Sequence, residues 1–141
     1  MMTKKFKILG RFINDMSSET PDVETYIFVK DYISKYHLNI DINSKPLKNK
    51  MIQVNTILKF EDKEEKKKKS YFEINYATII KLEEEVKEKN ELEKIILCDV
   101  QNEIYPELEK SLLDLLHNSG YPEVKFDKKV NFEDLYNQRF N

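Results

Sequence analysis

Glycine is nearly absent: Gly10 and Gly120 are the two in 141 residues. No glycine-rich phosphate loop can be built from them, so P-loop nucleotide chemistry is excluded. Cysteine is scarcer still. Cys98 has no partner in the chain, so no internal disulfide forms, and a reducing compartment suits such a protein. His37 and His117 lie far apart, with no Cys or His at ligand spacing beside either, so the chain shows no zinc pattern. A net charge of −2, from 24 basic and 26 acidic residues, gives no strong field toward nucleic acid or an anionic membrane. Apolar runs are a few residues long, far short of the roughly 20 that a spanning helix needs. The opening MMTKKFKILGRF is basic but has no apolar core or cleavage site of a signal peptide. There is no repeat of solenoid length. The length fits one domain, residues 1–141, large enough for its own core.

What is present is alternation. Period-two patterning, the mark of half-buried strands, dominates the first two thirds. Phe6, Ile8, Gly10 and Phe12 are expected on one side of a first strand, ended by the turn-rich 17–22. Residues 36–43 alternate as a second strand, with a loop at 44–46. Ile52, Val54, Thr56, Leu58 and Phe60 form one face of a third; Phe72, Ile74, Tyr76, Thr78 and Ile80 form one face of a fourth. Tyr26, Ile27, Phe28, Tyr32 and Ile33 crowd a segment with no clear period. The polar 61–70, with four consecutive lysines, joins two strands and has acids before the lysines and no interleaved aromatics. It reads as a solvated hairpin tip rather than a nucleic-acid contact. Residues 83–94 are charged and either helix-prone or loose.

The period then changes. Ile104, Leu108, Leu112, Leu115 and Leu116 recur at three and four, widened by Leu113, as an amphipathic helix does. Pro106 is expected in its first turn. Gly120 is expected to end it in the left-handed conformation, with Pro122 preventing continuation. Asn131 can cap a second short helix with Glu133 and Asp134 in its first turn and Phe132, Leu135 and Tyr136 as its apolar side. The predicted fold class is α+β: a four-stranded antiparallel sheet, then a long helix and a short C-terminal helix.

No constellation of catalytic residues emerges. Cys98 beside Ile96 and Leu97 reads as core rather than nucleophile. Asp15 and Glu19 could form a carboxylate pair, but loop acids are commonly just solvated. The chain therefore reads as a non-enzyme without cofactor or metal. Apolar residues outside the alternating faces leave surface for a partner or for oligomerisation, or else for an irregular core.

Several stretches together resemble a known family. FKILGRFINDMSSETPD, residues 6–22, is similar to the opening strand of the SecB protein-export chaperones, with Asp15, Ser17, Ser18, Glu19 and Pro21 in the family's strand exit. Leu38-Asn39-Ile40-Asp41 fits their second strand. In residues 104–136, Tyr105-Pro106, Gly120, Tyr121-Pro122 and Val130-Asn131-Phe132 fit the landmarks of the two helices and their connector. The resemblance covers about residues 6–138, and its strength lies in the ordered set.

The resemblance implies a cytoplasmic, ATP-independent chaperone. It would hold unfolded preproteins export-competent and deliver them to the SecA motor as a homotetramer, a dimer of dimers, without direct membrane insertion. It implies SecA docking through Asp15, Glu19, Tyr71 and Glu73, with Tyr71 replacing an aliphatic residue. It implies a preprotein groove that includes Phe28, Tyr32, Ile74, Ile79 and Ile80. The family's Gly-Gly in the fourth strand is Ala77-Thr78 here, so that strand should bend less. A Phe of the strand exit is Ser18. The chain stops at Asn141, which would leave out the longer last helix and acidic tail of many members. A SecB-like chaperone dedicated to one client, such as an antitoxin, and a non-enzymatic adaptor module are the alternatives.

Overall fold

The computed structural model describes residues 5–63, 68–83 and 86–140. Strand β1 spans Phe6–Glu19 and helix α1 Val23–Tyr32, followed by a single 3-10 turn at Ile33–Lys35. Strands β2 (His37–Pro46), β3 (Met51–Glu61) and β4 (Tyr71–Leu82) come next. Helix α2 (Lys89–Lys94) runs through a π-helical segment at Ile95–Asp99 into α3 (Val100–Asn118), and α4 covers Phe132–Phe140. The middle of the lysine-rich connection, residues 64–67, lies outside the described residues.

The sheet has the order β1-β4-β3-β2, and every neighbouring pair is antiparallel. β2, β3 and β4 form a meander, and β1 lies beside β4, a Greek-key arrangement whose long connection carries α1. The predicted faces of β3 and β4 are the buried ones: Val54, Thr56, Leu58, Ile74, Thr78 and Ile80 are sealed from solvent. Helix α3 covers them with Ile104, Leu108, Leu112 and Leu116, all fully buried. β4 keeps one register against β3 along its length.

β1 departs from the simple alternation. Its register against β4 shifts between Ile8 and Gly10 and again between Ile13 and Asp15, leaving Leu9 and Asn14 as extra residues. Each bulge swaps the strand's faces. Phe6 and Ile8 therefore face the helices, whereas Gly10 and Phe12 face outward opposite Ile79 and Ala77. The predicted grouping of those four on one side is corrected accordingly. β1 also continues through 17–19, and Ser18 bonds Ser119 at 2.6 Å beside the end of α3.

The aperiodic segment is helical. Asp22 caps α1 by accepting a hydrogen bond from the Thr25 amide at 2.7 Å, a bond that holds its carboxyl below the usual range. Helix α1 buries Thr25 and Val29 rather than an obvious stripe, which is why its period was unreadable. The long helix starts before the predicted point, so Pro106 lies inside α3 rather than in its first turn. Gln101 is fully buried there; it accepts a hydrogen bond from the Thr56 hydroxyl at 2.9 Å and donates to the Ile96 carbonyl at 3.1 Å.

Gly120 ends α3 as expected, at φ 107°, and the Tyr121 amide donates back to the Leu116 carbonyl at 3.0 Å. A Cβ at position 120 would lie 2.5 Å from the Tyr26 ring, whose hydroxyl donates to the Gly120 carbonyl at 2.8 Å. Asn131 caps α4, accepting from the Asp134 amide at 3.0 Å. Gly120→Ala should therefore cost at least about 2 kcal/mol from the left-handed backbone and the clash together. Urea unfolding would measure it. The penalty should shrink in a Tyr26→Ala background; an unchanged penalty would show that the ring contact is irrelevant.

Candidate functional site

Two surfaces stand out. The first is a groove between the connector after α3 and the elements α1 and β2. It begins at a cavity of about 190 Å³ bordered by Tyr26, Lys30, Gly120 and Pro122. It widens to about 1020 Å³ between Ile33, Tyr36, Leu38 and Phe60 on one side and Val124 and Phe126 on the other. It continues over about 520 Å³ past Ile40, Tyr105, Val130 and Leu135. Three features place the connector here. Gly120 turns the chain, Pro122 stops the helix, and His117 Nε2 meets the Val124 carbonyl at 2.9 Å. Phe126 packs edge-on against Phe60 at 5.6 Å between ring centroids. Tyr36 accepts a hydrogen bond from the Ser70 amide, and burial pushes its phenol up, so it stays neutral.

One wall of this groove is β2, the last strand of the sheet, which among the described residues pairs only with β3. Its outer backbone edge runs beside an aromatic and aliphatic floor. That combination suits an extended polypeptide: the edge offers backbone pairing and the floor accepts alternate side chains.

The five residues expected in a groove do not come together. Ile74 and Ile80 are fully buried under α3, because they lie on the covered side of β4. Ile79 points to the opposite side of the sheet. Phe28 and Tyr32 stack on α1 with ring centroids 4.6 Å apart, but Tyr26 and Lys30 of α1 and Ile33 of the following turn line the cavities instead. The connector residues Val124 and Phe126 were missed. Their alternating VKF pattern was the available signal.

The second surface is the uncovered sheet face. Glu19 is directly opposite Tyr71, Ser17 opposite Glu73 and Asp15 opposite Asn75. Cross-strand partners share a face, so Asp15, Glu19, Tyr71 and Glu73 gather on one end of this face. Tyr71 is 53% exposed. Lys59 pairs with Glu73 at 3.5 Å.

The remaining candidate chemistry is buried. Cys98 is fully enclosed, and burial pushes its thiol up. Among the described residues no cluster of three or more His, Cys, Asp or Glu could hold a metal, and no helix is long and apolar enough to cross a membrane.

A family model described as preprotein translocase subunit SecB matches residues 1–141. The chain belongs to the SecB family. It is 62% identical over 140 residues to a putative protein-export protein SecB of Pelagibacter ubique (strain HTCC1062), covering 99% of this chain and 100% of that one. The fold is also that of a SecB-like chaperone of Mycobacterium tuberculosis solved with a peptide from the HigA1 antitoxin. That likeness has a TM-score of 0.62 at 11% identity and covers 89% of this chain and 91% of that one. The SecB assignment supplies the activity, that of an export chaperone.

Cys98 of this SecB should resist alkylation in the native state at mildly alkaline pH and react fully in denaturant, because only the accessible thiolate is nucleophilic. Mass spectrometry of iodoacetamide-treated protein would test this. Rapid native labelling would contradict the burial.

Proposed function

We propose that this SecB holds unfolded preproteins without nucleotide in the cytoplasm and passes them to the SecA motor, with clients in the connector groove. The observation that carries the reading is the juxtaposition of the free β2 edge with the apolar floor of Tyr36, Leu38, Phe60 and Phe126. Backbone pairing is indifferent to sequence, and shallow apolar pockets select only for hydrophobicity, so such a groove suits many unfolded clients and no folded one. Each apolar side chain seated there contributes about 25 cal/mol per Å² removed from water. No step in this cycle needs a bound cofactor.

Delivery is assigned to Asp15, Glu19, Tyr71 and Glu73. Three carboxylates around an exposed ring suit a basic segment of SecA, with charge steering the encounter and Tyr71 supplying apolar contact. Docking and client holding then use opposite sides of the sheet. The assembled form is a homotetramer, a dimer of dimers. Its support in the fold is β1, a free edge strand with Ile13 and Met16 exposed at 42% and 48% on its helix-side face. A second reading, a chaperone dedicated to a single client, is favoured by the antitoxin peptide bound to the solved protein of the same fold.

Binding of the purified protein to a slow-folding preprotein, denatured and then diluted without nucleotide, tests the first reading. Binding to the unfolded form alone is expected. Failure with several such clients would leave the dedicated-client reading. Val124→Ala with Phe126→Ala should weaken client binding about tenfold, roughly 1.4 kcal/mol, without lowering SecA affinity. Asp15→Arg with Glu73→Lys should abolish SecA association and leave client holding intact. Loss of both activities together would rule out a separate docking face.

A further inference from the structure

The uncovered sheet face sorts its charges by position along the strands. The half nearer Tyr71 carries Asp15, Glu19, Asp41, Glu61 and Glu73 against a single lysine, Lys59. The other half carries Lys7, Lys45 and Lys81 and, within the paired strands, no carboxylate; Glu83 follows Lys81 just beyond the end of β4. Lys7 and Lys81 are direct cross-strand partners, both exposed. Among the described residues neither they nor Lys45 forms an ion pair. Like charges placed opposite one another oppose sheet formation, so the stability of a lone chain does not explain this arrangement. Between the two halves lie Phe12, 49% exposed, and the half-buried Ile57 and Ile79, a narrow apolar band beside Asn43, Gln53 and Asn55.

The nearest opposite charges, Asp41 and Lys45 on β2, are four residues of strand apart, roughly 13 Å. That exceeds the screening length of about 8 Å at physiological salt, so the halves act as separate patches of opposite sign. An anionic surface would satisfy the lysines and repel the carboxylates, and a basic segment would do the reverse. A second copy turned by 180° about an axis across the strands satisfies both. Its acidic half lies on the first copy's lysines, its lysines on the first copy's acids, and band meets band.

We infer that the open face is a self-docking surface on which two copies stack face to face with their strands antiparallel. The contact is isologous, so each charge pairing occurs twice. It is distinct from any assembly built on the β1 edge or the helices, because it uses neither. The stacked form covers Asp15, Glu19, Tyr71 and Glu73 and so withholds them from SecA. That consequence rests on the docking reading above, whereas the stacking does not.

Sedimentation velocity of the full chain, without SecA, at low salt and at about 0.5 M salt tests the inference. Species heavier than the basal assembly are expected at low salt and should vanish at high salt. Triple charge reversals at Lys7, Lys45 and Lys81 to Glu, or at Asp15, Glu19 and Glu73 to Lys, should each weaken stacking at least tenfold. Mixing the two variants should restore it. If a triple variant fails to fold, Lys81→Glu and Glu73→Lys serve as the single-site pair. Absence of the larger species at low salt, its persistence in a folded variant, or no association in the mixture would overturn the inference. So would co-sedimentation of the unstacked protein with vesicles of anionic phospholipid, which would assign the lysines to a membrane surface.

Discussion

The packing of Ile104, Leu108, Leu112 and Leu116 onto Leu58, Ile74 and Ile80 is the contact on which the rest of this SecB depends. All seven side chains are fully buried, and each contributes about 1.5–3 kcal/mol of hydrophobic stabilisation. The contact uses one face of the sheet. The helix therefore satisfies the core from one side, and the other side remains at the surface. A sheet sandwiched between helices would have no face on which to carry Asp15, Glu73 or Lys81. One-sided burial thus separates the tasks: a core and a groove on the helix side, a charged platform on the other.

Polar contacts then set where the helix lies. Gln101 meets Thr56 in the middle of the core, where an unmatched amide would be costly, and so fixes the position of α3 on the sheet. Arg11 reaches from β1 to the Glu107 carboxylate at 2.7 Å and ties the edge strand to the same helix. At the far end, Tyr26 donates to the Gly120 carbonyl, and Tyr121 stacks tilted on Tyr26 at 5.4 Å. These contacts direct the connector back along β2, and the groove exists because of that route. Its walls come from α1, β2 and the connector, three segments far apart in the chain.

Much of the fold was legible. The faces of β3 and β4, the stripe of α3, the stop at Gly120 and the cap at Asn131 were readable because each rests on a local periodicity or a local backbone requirement. Helix α1 was not, since its apolar residues encircle it and only Asp22 and Glu24 marked its start. Pro106 misled because a proline ordinarily marks a first turn, whereas here α3 runs through it. The β1 bulges were invisible for another reason: an extra residue leaves no mark on composition, yet the first reverses the side chains from Gly10 to Ile13 until the second restores them.

By itself the sequence determined the α+β class, which residues share a face of β3 and β4, the stop of α3 at Gly120, the cap at Asn131 and the membership signalled by an ordered set of landmarks, because these depend on neighbours within a turn or a strand. Alternation put Tyr71 and Glu73 on one face, and the resemblance added Asp15 and Glu19; that the four share one end of the open face comes from the β1–β4 register. Only the tertiary structure decided which apolar residues are exposed. Ile74 and Ile80 follow the same alternation as any groove-lining residue, and burial under α3 removes them. Phe126 and Val124 gain their place only when the connector folds back on β2. Burial depends on what packs above a residue, and that partner comes from a distant part of the chain.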